Sequence, residues 1–190
     1  MIKKRLKNNA QKVDKFLINF LKKQKKTLLV SPMKYGVISG GKKIRSTIIF
    51  DTGKLFKIKN SLLINICAAV ECIHSYSLIH DDLPCMDNDA IRRGKPTTHK
   101  KYGEATAVLA GNSLLTLAFE IISDKNNLIS SKQKIEIINI LSHCSGHTGI
   151  AGGQELDLKF ENKNKKLSQI LNMQKKKQES CLIFVFKQLQ

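Results

Sequence analysis

The sequence predicts an all-α fold, the N-terminal portion of a helical bundle. Three observations carry this. Proline occurs only at Pro32, Pro84 and Pro96, so nothing after Pro96 interrupts a helix. Apolar residues recur at three- and four-residue intervals in successive segments. Glycine is clustered at a few sites rather than scattered as in a turn-rich β fold. With 190 residues, 42% of them hydrophobic, the chain is long enough for one domain with a real core.

Val13, Phe16, Leu17, Phe20 and Leu21 predict an amphipathic opening helix with Lys between the apolar positions. Ser31-Pro32 reads as an N-cap followed by proline at the first helical position, opening a short helix that stops at Gly40-Gly41. Lys42 to Arg45 leads into a further helix ending near Gly53. Ser61 is expected to cap a long helix with Leu62, Ile66, Ala69, Val70 and Ile73 on its apolar face. It runs to about Asp82, because Pro84 prevents simple continuation. Residues 83–98 are polar and charged and read as a loop. Helices are expected over about 104–123 and from near Ser131 to Ser145-Gly146. Gly149 to Gly153 reads as a flexible break before Gln154–Phe160. Asn162 to Lys166 is a polar connection, and the chain is helix-like again from Leu167.

The formal charge is +18, yet Arg occurs only at positions 5, 45, 92 and 93, so 29 of the 33 basic residues are Lys. They are spread along the chain and make no single stripe, so solvated lysine faces are preferred to nucleic-acid binding. The five Cys form no CxxC pair and no zinc-like spacing with His. Cys67, Cys72 and Cys144 sit among apolar or small residues and read as reduced core thiols, which points to a cytoplasmic location. The opening MIKKRLKNN has no apolar stretch of secretory type. Ala105 to Ile122 is interrupted by Asn112 and reads as a buried helix, not a membrane span.

The densest chemistry lies between His80 and Gly94. Asp81, Asp82, Asp87 and Asp89 place four carboxylates within nine residues at the end of an apolar helix. Such charges repel one another unless a cation sits among them, and oxygen-only donors suit Mg²⁺. Arg92 and Arg93 follow at once, and Arg is suited to bidentate phosphate contact. The combination predicts a metal–phosphate ligand. An acidic helix end neutralised by Arg alone is the simpler alternative, and it works against the helix dipole. An EF-hand is excluded because its Gly and final Glu are missing.

The run from Glu71 through His74, Tyr76 and His80-Asp81-Asp82 to Asp87 resembles the first Asp-rich motif of the trans-isoprenyl (polyprenyl) diphosphate synthases, in its bacterial spacing. Arg92-Arg93-Gly94-Lys95-Pro96-Thr97 matches that motif's continuation. Gly40-Gly41-Lys42-Lys43-Ile44-Arg45 resembles the family's Gly-Gly-Lys…Arg motif, and Gly153-Gln154-Glu155-Leu156-Asp157 its Gly-Gln…Asp motif. Four motifs in order over about residues 30–160 are highly specific. The resemblance implies a Mg²⁺-dependent prenyl transfer of the farnesyl diphosphate-forming type. In it, Asp81 and Asp87 would hold metal, Arg92 would contact the allylic diphosphate, and Lys42, Arg45, His74 and Arg93 would bind isopentenyl diphosphate. Tyr76 would close the floor of the elongation pocket. Homodimer formation is implied as well.

The sequence departs from the family at several points. Ser46 stands where proline is usual, and Asn88 and Ala90 replace carboxylates. A second Asp-rich motif is absent, which makes residues 1–190 one incomplete domain, family-like to about residue 177. Lys177 falls on the family's Lys-Thr-Gly motif, whose Lys touches the allylic diphosphate, but Gln178-Glu179-Ser180 does not continue it. Residues 178–190 are then an atypical tail, produced by a reading-frame change near Lys175–Lys177 or by true truncation. Its apolar run Cys181 to Phe186 is an aggregation hazard. A diphosphate-binding fragment without turnover, or one paired with a full-length subunit, is the alternative to an active enzyme.

Overall fold

The computed structural model describes residues 2–178 and is almost wholly helical. The tail expected to be atypical, with Cys181 to Phe186, lies outside the described residues from Glu179 onward. The chain divides into two compact units, Met1–Leu128 and Ile129–Gln190.

The first unit holds α1 (Ile2–Lys23), α2 (Val30–Val37), α3 (Ile44–Leu55), α4 (Asn60–Asp81), a hairpin of β1 (Ile91–Arg92) and β2 (Lys95–Pro96), α5 (Thr98–Tyr102) and α6 (Glu104–Ser123). Its centre is α4, which packs on α1, α2, α3 and α6. Ile66, Ala69, Val70 and Ile73 are buried as their spacing requires, and so is most of the rest of this helix. From α1, Val13, Leu17 and Leu21 point inward, while Phe16 and Phe20 stack at 5.9 Å on the half-buried flank. By length and composition, α4 and α6 could each cross a membrane. In this fold they pack on each other, with Leu114, Ile121 and Ile122 of α6 fully buried. Cys67 and Cys72 are buried free thiols, as is Cys144 in the second unit.

The second unit holds α7 (Ser131–Ser145), α8 (Ile150–Phe160) and α9 (Leu167–Gln178). Ser130 caps α7 with a reciprocal pair: its side chain accepts from the Gln133 backbone while the Gln133 side chain accepts from the Ser130 N–H.

Four expectations need correction. Ser31 and Ser61 are not caps: α2 starts at Val30 after Leu29, and α4 at Asn60 after Lys59, neither with a side-chain cap bond. Ser61 instead gives its carbonyl to the Asn65 side chain at 3.0 Å. Residues 83–98 are not simply loop, since they contain the hairpin and the start of α5. Gly149 to Gly153 does not break the chain flexibly, because Gly152 and Gly153 are helical within α8.

Gly153 serves close approach. A Cβ there would lie 2.9 Å from the backbone nitrogen of Lys177 and 2.7 Å from its Cγ. Only hydrogen lets α9 come this near. A Gly153→Val substitution is therefore expected to lift α9 off α8, at a cost of roughly 2 kcal/mol. Amide exchange in residues 167–178 should lose protection by about the corresponding factor of 30, with α4 unaffected.

Candidate functional site

The site is built on four pieces of the first unit: the loop between α2 and α3, the start of α3, the α4 helix, and the hairpin. In the loop, Gly40 and Gly41 adopt φ +91 and +98, and Lys43 follows in the left-handed region at φ +42. The Lys43 side chain is buried. Its Nζ lies 3.2 Å from Asp14 Oδ1 and 3.9 Å from Glu71 Oε2, and donates to the Val37 carbonyl at 3.1 Å. Ser46 Oγ donates to the other Glu71 oxygen at 2.7 Å. The first turn of α3 is thus tied to the middle of α4. Ser46 stands where the resemblance led one to expect proline, and its hydroxyl satisfies a buried carboxylate that proline could not.

The hairpin pairs Arg92 with Lys95 and Ile91 with Pro96. Its two-residue turn, Arg93-Gly94, has φ of +54 and +74, the left-handed pair that a tight turn between twisted strands requires. Arg92 Nε donates to Asp82 Oδ1 at 2.6 Å, and its Nη2 lies 3.0 Å from Asp89 Oδ2. Arg93 reaches in the other direction, toward α2, donating to the Gly40 carbonyl and to Ser39 Oγ.

These pieces enclose a cavity of about 620 Å³. Lys42, Arg45, His74 and Arg93, the four residues expected to bind one diphosphate together, all line it. Ser39, Gly40, Lys43, Glu71 and Lys95 line it too, and sequence reasoning assigned them no such place. For Lys95 the available signal was its position directly after the Arg-Arg-Gly turn. For Glu71 and Lys43 no local pattern signals burial.

His74 carries the electrostatics of the cavity. Burial pushes its pKa down to about 3, and Arg45 and then Arg93 push the same way. The ring is therefore neutral. Arg45 Nη1 lies 3.3 Å from Nε2, and a guanidinium has only donors, so Nε2 accepts and Nδ1 holds the proton.

At the C-terminal end of α4, the chain folds back on itself. Asp87 N–H donates to the Asp81 carbonyl at 2.8 Å, and Asn88 N–H to the Leu83 carbonyl at 3.0 Å. Asp81 is half-buried and Asp87 exposed. Asp82 is buried and held by Arg92; burial pushes its carboxyl up to about 6, with the Arg92 hydrogen bond and charge working the other way. Among the described residues no three His, Cys, Asp or Glu side chains converge as a metal cage. Mg²⁺ typically takes one or two carboxylates and completes its shell with water and phosphate. Two oxygen donors on adjoining turns, with Arg nearby, fit that ion and not a closed protein site.

Tyr76 is buried in α4, its ring edge-on to His80 at 5.8 Å. His80 Nε2 lies 3.1 Å from the Val108 carbonyl of α6, which is a structural contact. In the second unit, Lys177 Nζ pairs with Asp157 at 2.5 Å, so the last expected ligand is held by a residue of the Gly-Gln…Asp motif.

A family model described as polyprenyl synthetase matches residues 26–186. The chain belongs to the polyprenyl synthetase family. Its relatives include the farnesyl diphosphate synthase of Buchnera aphidicola subsp. Acyrthosiphon pisum, 48% identical over 84% of this chain and 57% of that one. The farnesyl diphosphate synthase of Escherichia coli is 50% identical over 73% of this chain and 46% of that protein. This polyprenyl synthetase chain thus spans about half the length of the curated relatives it matches. In structure, it matches an FPP/GFPP synthase from Zymomonas mobilis with a TM-score of 0.92, at 38% identity over 99% of this chain and 69% of the other.

The neutral His74 gives a pH prediction. Unfolded, the ring titrates near its ordinary value of about 6.5; folded, only near 3. The stability it contributes is fully present above pH 6.5 and is lost as pH falls toward 3. Between pH 5 and 8 the His74 ring resonances in a heteronuclear NMR titration should stay flat. An inflection near 6.5 would show that neither burial nor the neighbouring cations hold the ring neutral.

Proposed function

We propose that this chain carries the diphosphate-binding part of a Mg²⁺-dependent prenyltransferase. The reaction joins isopentenyl diphosphate to an allylic diphosphate, dimethylallyl or geranyl, and leads to farnesyl diphosphate. The single observation that carries the reading is the convergence of Lys42, Arg45, His74 and Arg93 on one cavity from the α2–α3 loop, α3, α4 and the hairpin. Two substrates that each bear several negative charges can be held side by side only where cations outnumber acids.

In this reading Lys42, Arg45 and Arg93 grip the diphosphate of isopentenyl diphosphate, with neutral His74 beside them. Asp81 and Asp87 would hold Mg²⁺, whose chemistry when bound is to stabilise charge on the departing allylic diphosphate. Arg92, positioned by Asp82 and Asp89, faces the same diphosphate. The allylic carbon–oxygen bond breaks, the isopentenyl double bond attacks the resulting cation, and a proton is lost. Tyr76 would limit chain growth. Pairing with a second copy and a cytoplasmic location belong to the same reading; Val108 and Leu109 of α6 are the exposed apolar residues a second copy could cover.

A second reading is a chain that binds diphosphates without turnover, alone or beside a full-length synthase subunit. It uses the same cations of the cavity, which can hold a diphosphate whether or not a reaction follows. Labelled isopentenyl diphosphate separates the two: elongated product supports the transferase, and binding without product supports the second.

Four substitutions test the assignments. Arg93→Ala and Arg45→Ala should each weaken diphosphate binding roughly tenfold, the scale of a lost charged hydrogen bond. Asp81→Ala should remove only the Mg²⁺-dependent part of that affinity, and an unchanged Mg²⁺ dependence refutes the metal assignment. For Tyr76, the chain completed with the C-terminal half of a full-length relative provides the assay. There Tyr76→Ala should shift products beyond fifteen carbons on chromatography, and products of unchanged length would show that Tyr76 is not the floor.

A further inference from the structure

We propose that Lys95 is an additional diphosphate-binding cation of the large cavity, an inference that rests on the reading of that cavity given above. Lys95 lines the cavity with Lys42, Arg45 and Arg93, and also lines a small adjoining one of about 30 Å³ beside Asp82 and Arg92.

Its electrostatic surroundings call for an anion. Across the hairpin Lys95 stands directly opposite Arg92, and like charges in that position destabilise a strand pair. Arg92 takes both nearby carboxylates, Asp82 and Asp89. Among the described residues Lys95 has no ion pair and no side-chain hydrogen bond. The other cations of the cavity are more committed. Lys43 is buried against Asp14 and Glu71. Arg45 is engaged with His74, and Arg93 donates to Gly40 and Ser39. Lys42 and Lys95 therefore hold the ammonium groups best able to turn onto an entering phosphate. They come from different segments, one from the α2–α3 loop and one from β2. An ammonium on a flexible stem can follow a ligand in a way a clamped guanidinium cannot.

The test is calorimetric titration of inorganic pyrophosphate into the full 190-residue chain at low salt, with folding of each variant verified by circular dichroism. Lys95→Gln should weaken binding about fivefold or more, the size expected for one charge-assisted contact at a partly exposed site. Lys95→Arg should stay within about twofold of the parent, because the charge is what matters. Lys100→Gln, an exposed lysine on α5 that lines neither cavity, should have no effect. If the parent binds pyrophosphate, Arg93→Gln loses affinity and Lys95→Gln does not, the inference about Lys95 fails and the cavity reading stands. If the folded parent binds no pyrophosphate at all, the cavity reading fails and takes this inference with it.

Discussion

The geometry of the site depends on one buried interaction, the meeting of Glu71 with Lys43 and Ser46. A carboxylate in the middle of a core helix is costly unless its lone pairs are satisfied. Glu71 is satisfied by a hydroxyl at 2.7 Å and by an ammonium that also reaches Asp14. Both partners come from the start of α3, so this contact fixes where the α2–α3 loop lies along α4. His74 is three residues beyond Glu71, on the same side of the helix. Lys42 and Arg45 flank Lys43. One lysine directed inward thus sets its neighbours on the wall that His74 completes. The same charge affects the thiols: burial pushes Cys67 and Cys72 up, and Glu71 pushes them further, so both stay protonated.

A second constraint acts at the end of α4. Acidic residues there oppose the helix dipole, and Asp82 is buried as well. Arg92 offsets both difficulties and also takes up Asp89. That arrangement separates structural acid from functional acid. Asp82 serves the fold by seating the hairpin, while Asp81 and Asp87, brought to adjoining turns by the Asp87 N–H bond to the Asp81 carbonyl, are the pair proposed for metal. The hairpin then carries Arg93 and Lys95 to the lining of the cavity.

How much of this the sequence revealed follows from the range of each interaction. Apolar periodicity placed α6 at Glu104–Ser123 and α7 at Ser131–Ser145 with little error, because burial repeats every turn. That Lys42, Arg45, His74 and Arg93 belong to one place was legible because the motifs record them residue by residue, and all four line one cavity. The hairpin was missed because strands of two residues have no period to detect, although Gly94 after Arg93 is a turn signal. Ser31 and Ser61 misled because a good cap residue is only an opportunity, and the chain entered both helices one or two residues earlier. Glu71, Lys43 and Ser46 were illegible as a group. Their partnership spans at least 25 residues, and nothing local distinguishes a lysine that will be buried from the many that stay in water.

This contrast also explains why the high net charge is a poor guide to function and the position of arginine a good one. Most lysines lie on solvated faces, and Arg5 pairs with Asp51 away from the cavity. The other three arginines gather at the cavity and its hairpin. Burial first, and then their charges, keep the proton off His74. Burial accounts for the largest part of that displacement, and the guanidinium charges, which add to it, are also the part that would favour an anion in the cavity. An anion entering the cavity would cancel part of the field and let the ring regain affinity for a proton.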